Sequence, residues 1–277
     1  MDSTIAVNND AKKVFRRLGT CSRTFGYLLN REFGNNSDID EQALDPLAGG
    51  ILQKGQQCGM LWGAAMAVGR EAYHMTTDHN IALALALKAS QDLVASFEAN
   101  APSVNCRAIT RTDFSKKFQM FRYMLFRAKN CFNLAELWAP EAVEAAKKGL
   151  SIEINKLPGM RTSCASEVIN NMGGNNEEMV AVSGFSGGIG LSGNACGALA
   201  AAIWKNTKKW MEANPEQSAY NNPAAQKTYR GFYEMSKGEL ICHKICGKKF
   251  STPEAHAEFI SKGGCKDLIE TLASIKV

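Results

Sequence analysis

The sequence predicts a mostly α protein made of two tandem homologous helical modules, each bringing four cysteines together. Three observations carry the prediction. Apolar residues recur at three-to-four spacing among strong helix formers over residues 79–99, 113–129 and 139–148. Strand signals are few: the best is 179–183, and its counterpart at 45–48 contains Pro46 and does not read as a strand. The third observation is that the second half of the chain repeats the first.

The repeat is visible in three blocks that keep the same order. Gly49-Gly50-Ile51-x3-Gly55-x2-Cys58-Gly59 matches Gly187-Gly188-Ile189-x3-Gly193-x2-Cys196-Gly197. Cys106-x7-Phe114-Ser115 matches Cys242-x7-Phe250-Ser251, and Cys131-x2-Leu134-x-Glu136-x2-Ala139 matches Cys265-x2-Leu268-x-Glu270-x2-Ala273. One further cysteine, Cys21 or Cys164, precedes each glycine block. Eight of the nine cysteines therefore fall into two matched sets of four, and Cys246 is left over. Units of this length are duplicated domains and not solenoid repeats. The boundary is placed near Gly149, before the turn signal Lys156-Leu157-Pro158-Gly159, giving modules over 1–150 and 151–277.

Composition narrows the function classes. With 277 residues, 45% hydrophobic and 21% charged, the chain is neither disordered nor collagenous. Its longest apolar run, 81–87, stops at Lys88, far short of the ~20 residues of a bilayer span. The start of the chain is polar and then basic, without the apolar stretch of a secretory signal, so a cytoplasmic location is expected. The net charge of +5 is spread in short pairs such as Lys116-Lys117, Lys208-Lys209 and Lys248-Lys249, which read as solvated surface and not as a nucleic-acid footprint.

In a reducing compartment, nine cysteines point to metal binding or redox chemistry and not to a disulfide framework. The four of each module are dispersed, with no C-x2-C knuckle of the kind structural zinc uses. Iron–sulfur clusters accept four thiolates from dispersed positions, and soft sulfur ligands suit iron or Cu(I). A thiol pair cycling through a disulfide would need only two cysteines per module. The small-residue stretches after Cys58 and Cys196 read as helices. Gly59 and Gly63 there, like Gly197 and Ala201, allow close helix contact, and a helix starting at the cysteine should lower that thiol's pKa.

Other signals carry less. Gly188-Ile189-Gly190-Leu191-Ser192-Gly193 is a literal G-x-G-x-x-G, but the first half has Gly50-Ile51-Leu52-Gln53-Lys54-Gly55 there and alternating strands are missing. His243 lies in the wrong place for haem attachment and reads as a surface or supporting residue. His74, His79 and His256 have no cysteine beside them in the sequence. Glu177-Glu178 read as solvated, and Glu136 and Glu270 as helix-surface ion-pair partners or supports for Cys131 and Cys265.

The order of Cys, glycine-rich loop with Cys-Gly, Cys and Cys resembles the redox-active family named for its C_GCAxxG_C_C motif. It occurs here twice, over 21–131 and 164–265, with Met60 in place of the motif alanine in the first module and Ala201 in place of its later glycine in the second. The resemblance implies helical, redox-active modules found in anaerobes, some relatives carrying an iron–sulfur site or c-type haem. It implies Cys21, Cys58, Cys106 and Cys131 as one ligand set and Cys164, Cys196, Cys242 and Cys265 as the other; Cys246 is extra to the motif, and its spacing from Cys242 on one helical face would let it replace Cys242. The expected function is electron transfer through iron–sulfur clusters to a redox partner protein, with a homo-oligomer left open. The alternatives are a thiol–disulfide oxidoreductase, a cluster-dependent reductase, one larger cluster shared between facing glycine loops, and a Cu(I) store or chaperone.

Overall fold

A computed structural model describes the backbone of residues 3–153, 156–157 and 159–277, and side chains from Asp10 onward within these. Pro158, at the centre of the expected inter-module turn, lies outside the described residues. The first half contains α1 (Ser3–Leu18), α2 (Cys21–Phe33), α3 (Asp38–Gln42), α4 (Gly59–Met75), α5 (His79–Asn100), α6 (Cys106–Thr110), α7 (Lys117–Arg122) and α8 (Ala128–Leu150). The second contains α9 (Cys164–Asn171), α10 (Asn176–Ala181), α11 (Gly197–Ala213), α12 (Pro223–Met235), α13 (Cys242–Ile245), α14 (Pro253–Ser261) and α15 (Lys266–Ser274). The fold is mostly helical, and pairing of the strand type among the described residues is confined to two single bridges, Gln57 with Asn105 and Ala195 with Ile241.

The strand signal at 179–183 is overturned. Asn175 caps α10 through the Glu178 amide while the Glu178 side chain accepts from the Asn175 amide, and this capping box commits the segment to helix despite its alternating Val-Ala-Val. In α8, Pro140 sits inside a helix that runs on to Leu150. The short periodic segments expected at 113–129 and 139–148 thus join into α7, one turn of π-helix at Tyr123–Arg127, and α8.

Small residues set the helix spacing. Gly63 of α4 faces Gly26 of α2 so closely that a Cβ there would overlap the Ser22 carbonyl oxygen, and Gly197 of α11 stands equally close to the Phe185 carbonyl. Close backbone approach also joins the halves: Gly69 abuts Ala181, and Gly190 abuts Ser90 and Gln91. One continuous apolar core runs through both halves, with Trp62, Trp138 and Trp204 fully buried.

A buried ionic network stitches the halves together. Asp40 pairs with Arg70 at 2.5 Å and with Lys208 at 2.8 Å, Arg70 reaches Glu177 at 3.3 Å, and Glu178 holds Lys205 at 2.6 Å and Lys208 at 3.1 Å. This corrects the solvated reading of Glu178 and of Lys208, while Glu177 stays half-buried at the edge of the network. Charge adjacency in sequence does not show that Arg70 and Lys205 arrive from other helices to compensate the burial.

Candidate functional site

The G-G-I-x3-G blocks fold as left-handed turns. Gly49, Gly50, Ile51, Leu52 and Gln53 all have positive φ, as do Gly187, Gly188, Ile189, Gly190 and Leu191. A β-branched residue in this region is a true outlier, and Ile51 and Ile189 occupy it at the same place in both halves. Each turn is closed by its own backbone, Gly55 N–H to Gly49 O at 3.0 Å and Gly193 N–H to Gly187 O at 2.8 Å. The literal G-x-G-x-x-G is therefore part of such a turn, with helix and not strand before it, and not a dinucleotide loop.

The turns deliver paired cysteines. After the first, Cys58 N–H donates to Val104 O at 2.8 Å and Cys106 N–H to Gln56 O at 2.7 Å. After the second, Cys196 N–H donates to Leu240 O at 2.9 Å and Cys242 N–H to Asn194 O at 2.5 Å. These single bridges fix the second and third cysteine of each set side by side. His243 supports this from the surface, its Nδ1 lying 2.7 Å from Gly193 O.

Helix starts carry most of the thiols. Cys21, Cys106, Cys164 and Cys242 are first residues of α2, α6, α9 and α13, and Cys58, Cys196 and Cys265 immediately precede α4, α11 and α15, whereas Cys131 lies inside the unbroken helical run of α7, the π-turn and α8. The positive ends of α2, α4 and α6 therefore meet at the first cysteine set, and those of α9, α11, α13 and α15 at the second.

Cys21, Cys58, Cys106 and Cys131 line one cavity of about 650 Å³, together with Asp45, Tyr123 and Tyr220. Tyr123 hydroxyl donates to Cys131 Sγ at 3.4 Å. The second half is closed. Cys164, Cys196, Cys242, Cys246, Cys265 and His256 surround only about 10 Å³, with Cys246 Sγ 3.6 Å from Cys265 Sγ and 3.9 Å from Cys242 Sγ. The two glycine turns are neighbours, Gln57 Nε2 donating to Ser192 Oγ at 3.1 Å, yet the thiols face separate cavities and not one shared site.

The lowered thiol pKa expected at Cys58 and Cys196 is overturned at both, and the lowered thiol is Cys21. The Cys58 thiol facing Cys21, with the amides of Gly49 and Ser22, brings the Cys21 pKa down. The same contact with Cys21, together with burial, pushes Cys58 well up, and burial lifts Cys196 in the same way. Burial raises Cys131 and Cys164 to about 11, and contact with Cys242 raises Cys246 to about 12. Desolvation outweighs the helix ends, so most of these thiols are neutral in the metal-free protein.

Four soft donors around a roomy, mostly apolar cavity suit a multi-atom sulfur-ligated group in the first half, and a bound metal ion would supply the positive charge that deprotonates buried thiols. The closed second set has no room for such a group in this arrangement. Among the described residues, no three His, Cys, Asp or Glu side chains are already gathered to hold a single metal ion.

Several site residues escaped the sequence reading. Asp45, Tyr123 and Tyr220 line the first cavity, and their positions have no identity between the halves to mark them. His256, which stands alone in sequence, is buried against the second cysteine set with its Nδ1 unpartnered. Phe114 stacks edge-on with Tyr123 at 5.0 Å and Phe250 with His256 at 5.0 Å, so the matched phenylalanines were the available signal. Glu136 and Glu270 form surface pairs with Lys12 and Lys266, as one of the two sequence readings has it.

Residues 20–144 and 162–277 match the model of the family described as "Putative redox-active protein (C_GCAxxG_C_C)". Neither the curated proteins nor the solved structures contain a match to this chain.

Proposed function

The chain belongs to the C_GCAxxG_C_C redox-active family, in two copies, and from that premise we propose an electron-transfer protein whose first half holds an iron–sulfur cluster through Cys21, Cys58, Cys106 and Cys131. The observation that carries this reading is the delivery of four thiols, three from helix starts and Cys131 from within a long helix, to the wall of one cavity of about 650 Å³. A cluster held there supplies a one-electron centre whose potential depends on burial and on hydrogen bonds to sulfur.

The chain's own groups have defined tasks in this reading. The helix-start amides beside Cys21 and Cys58 offset thiolate charge, and Tyr123 donates to the Cys131 sulfur. Phe15, Leu18, Met60 and Ile109 keep water from the sulfurs. A redox partner protein takes the electron, and a reducing, cytoplasmic setting keeps the thiols open.

The second half favours another use of the same residues. Contact between Cys246 and Cys265 at 3.6 Å suits a dithiol that closes to a disulfide by thiol–disulfide exchange, its two electrons and two protons passing to a disulfide of the redox partner protein, which opens to two thiols. In this reading the module boundary lies near residue 150.

The deciding experiment is iron, acid-labile sulfide, copper and zinc per chain, with an absorption spectrum, on protein purified without oxygen. Iron with sulfide and a broad visible band is expected, lost in Cys58→Ser and retained in Cys196→Ser. Iron halved by each substitution would place a cluster in both modules. Metal-free protein with titratable thiols would extend the disulfide reading to both halves, and copper alone would mean Cu(I) storage or delivery.

A further inference from the structure

Residues 114–130 read Phe-Ser-Lys-Lys-Phe-Gln-Met-Phe-Arg-Tyr-Met-Leu-Phe-Arg-Ala-Lys-Asn, with basic residues at 116, 117, 122, 127 and 129 and no acidic residue. In the fold, α7 and the π-turn that follows it bury no residue at all. Phe118, Phe121, Met124, Leu125 and Phe126 are 57–70% exposed, and these five are half of the large apolar side chains exposed among the described residues. Such a patch on a surface is costly unless something covers it.

The repeat does not require it. In the second half the stretch between Phe250 and Cys265 forms α14, which buries His256 and Ile260 and carries Glu254 and Glu258. The exposed apolar and basic side chains belong to the first half alone. A second copy of the chain is a poor occupant, because a two-fold contact would set this acid-free basic stretch against itself. Apolar side chains interleaved with Lys and Arg on a short helical element are instead the composition of a segment that lies in the interface of an anionic bilayer.

We infer that residues 116–129 dock on an anionic lipid surface, with Phe118, Phe121, Met124, Leu125 and Phe126 entering the headgroup layer and Lys116, Lys117, Arg122 and Lys129 meeting lipid charge. No helix among the described residues is long and apolar enough to cross a membrane, so the attachment is peripheral. Met120, Tyr123 and Met124 also line the first cavity, so docking sets that cavity's wall against the lipid. The inference rests on composition and exposure and holds whichever group the cysteines carry.

The test is sedimentation of the full chain with vesicles of phosphatidylcholine, alone or with about one-third phosphatidylglycerol, at about 0.1 M salt. Binding to the anionic vesicles should exceed binding to the neutral ones by about tenfold or more and fall as salt is raised, because the basic side chains carry the attraction. A Phe118→Ser/Phe121→Ser/Phe126→Ser chain should keep its circular dichroism and thermal midpoint, since none of these residues is buried, and lose vesicle binding by about tenfold or more. Failure of the parent chain to bind anionic vesicles would overturn the inference. So would equal binding by the folded triple variant, or a self-association that this variant abolishes without any vesicle binding.

Discussion

Asp45 is buried to 6% exposure on the wall of the larger cavity, with Thr20 Oγ1 donating to its Oδ1 at 2.5 Å. Burial raises its pKa from 3.8 to about 6, and the Thr20 hydrogen bond only partly opposes this. A carboxyl that binds its proton more tightly in the fold stabilises the protein below the unfolded pKa, and that contribution is lost as pH rises through the folded value near 6. Two pKa units correspond to about 3 kcal/mol. Asp45→Asn, which keeps an acceptor for Thr20 without the charge, should therefore raise stability over the parent chain at pH 8 by up to about 3 kcal/mol and change little at pH 4, read from urea unfolding at both pH values. An equal difference at the two values would show that carboxyl burial is not the cause. His256 has the opposite sign: burial lowers its pKa to about 4, so its contribution is lost as pH falls from 6.5 toward 4. These two residues were not legible as site groups, because Asp45 matches Ser183 and His256 matches no histidine in the other half.

The left-handed turns are the elements on which the cysteines depend. Gly50 at φ 74° lies so close to the Gln56 backbone that a Cβ would overlap it, and Gly188 at φ 81° is 2.7 Å from Asn194 N by the same measure. Gly50→Ala and Gly188→Ala should each destabilise the protein by several kcal/mol, about 3 or more, through clash and positive φ together. Each should also expose the cysteine pair of its own half to alkylation before that of the other half. Mass spectrometry of protein labelled with iodoacetamide separates the two outcomes, and uniform labelling of both halves would mean the turns do not act locally. The glycines and the cysteine order were legible because duplication prints the pattern twice within one chain. The handedness of the turns was not, since Leu52 and Gln53 are ordinary residues held at φ 48° and 62° by the closing bonds around them. Helical periodicity located α5 almost to its ends, while the short α10 was hidden by Val-Ala-Val and is decided by the Asn175–Glu178 cap. Helix starts at Cys58 and Cys196 were also foreseen, but contact with Cys21 together with burial reverses the expected pKa at Cys58, and burial does so at Cys196, and both depend on the assembled walls.

At the scale of the whole molecule, duplication suggests two bodies, but the packing joins them. Trp204 Nε1 donates to Asp40 O at 3.1 Å, Ser183 Oγ donates to Leu83 O at 3.0 Å, and the Asp40–Arg70–Glu177 and Asp40–Lys208–Glu178 chains cross from one half to the other. Separating the halves would expose the faces around Gly69 and Gly184 and leave Asp40 and Arg70 without their partners from the second half. Removing one member of a buried, compensated charge cluster costs about 3–5 kcal/mol, a large part of the ~5–15 kcal/mol that stabilises a typical protein. The full chain should therefore unfold in urea as one transition, with fluorescence and circular dichroism coincident, despite its two family segments. Lys208→Met should shift that single transition to lower urea without splitting it, because Lys208 touches both Asp40 and Glu178. A fragment of residues 1–150 should show no cooperative transition of its own. Two separated transitions in the full chain, or a stable fragment, would mean that each half folds alone and that the ionic bridge only aligns them.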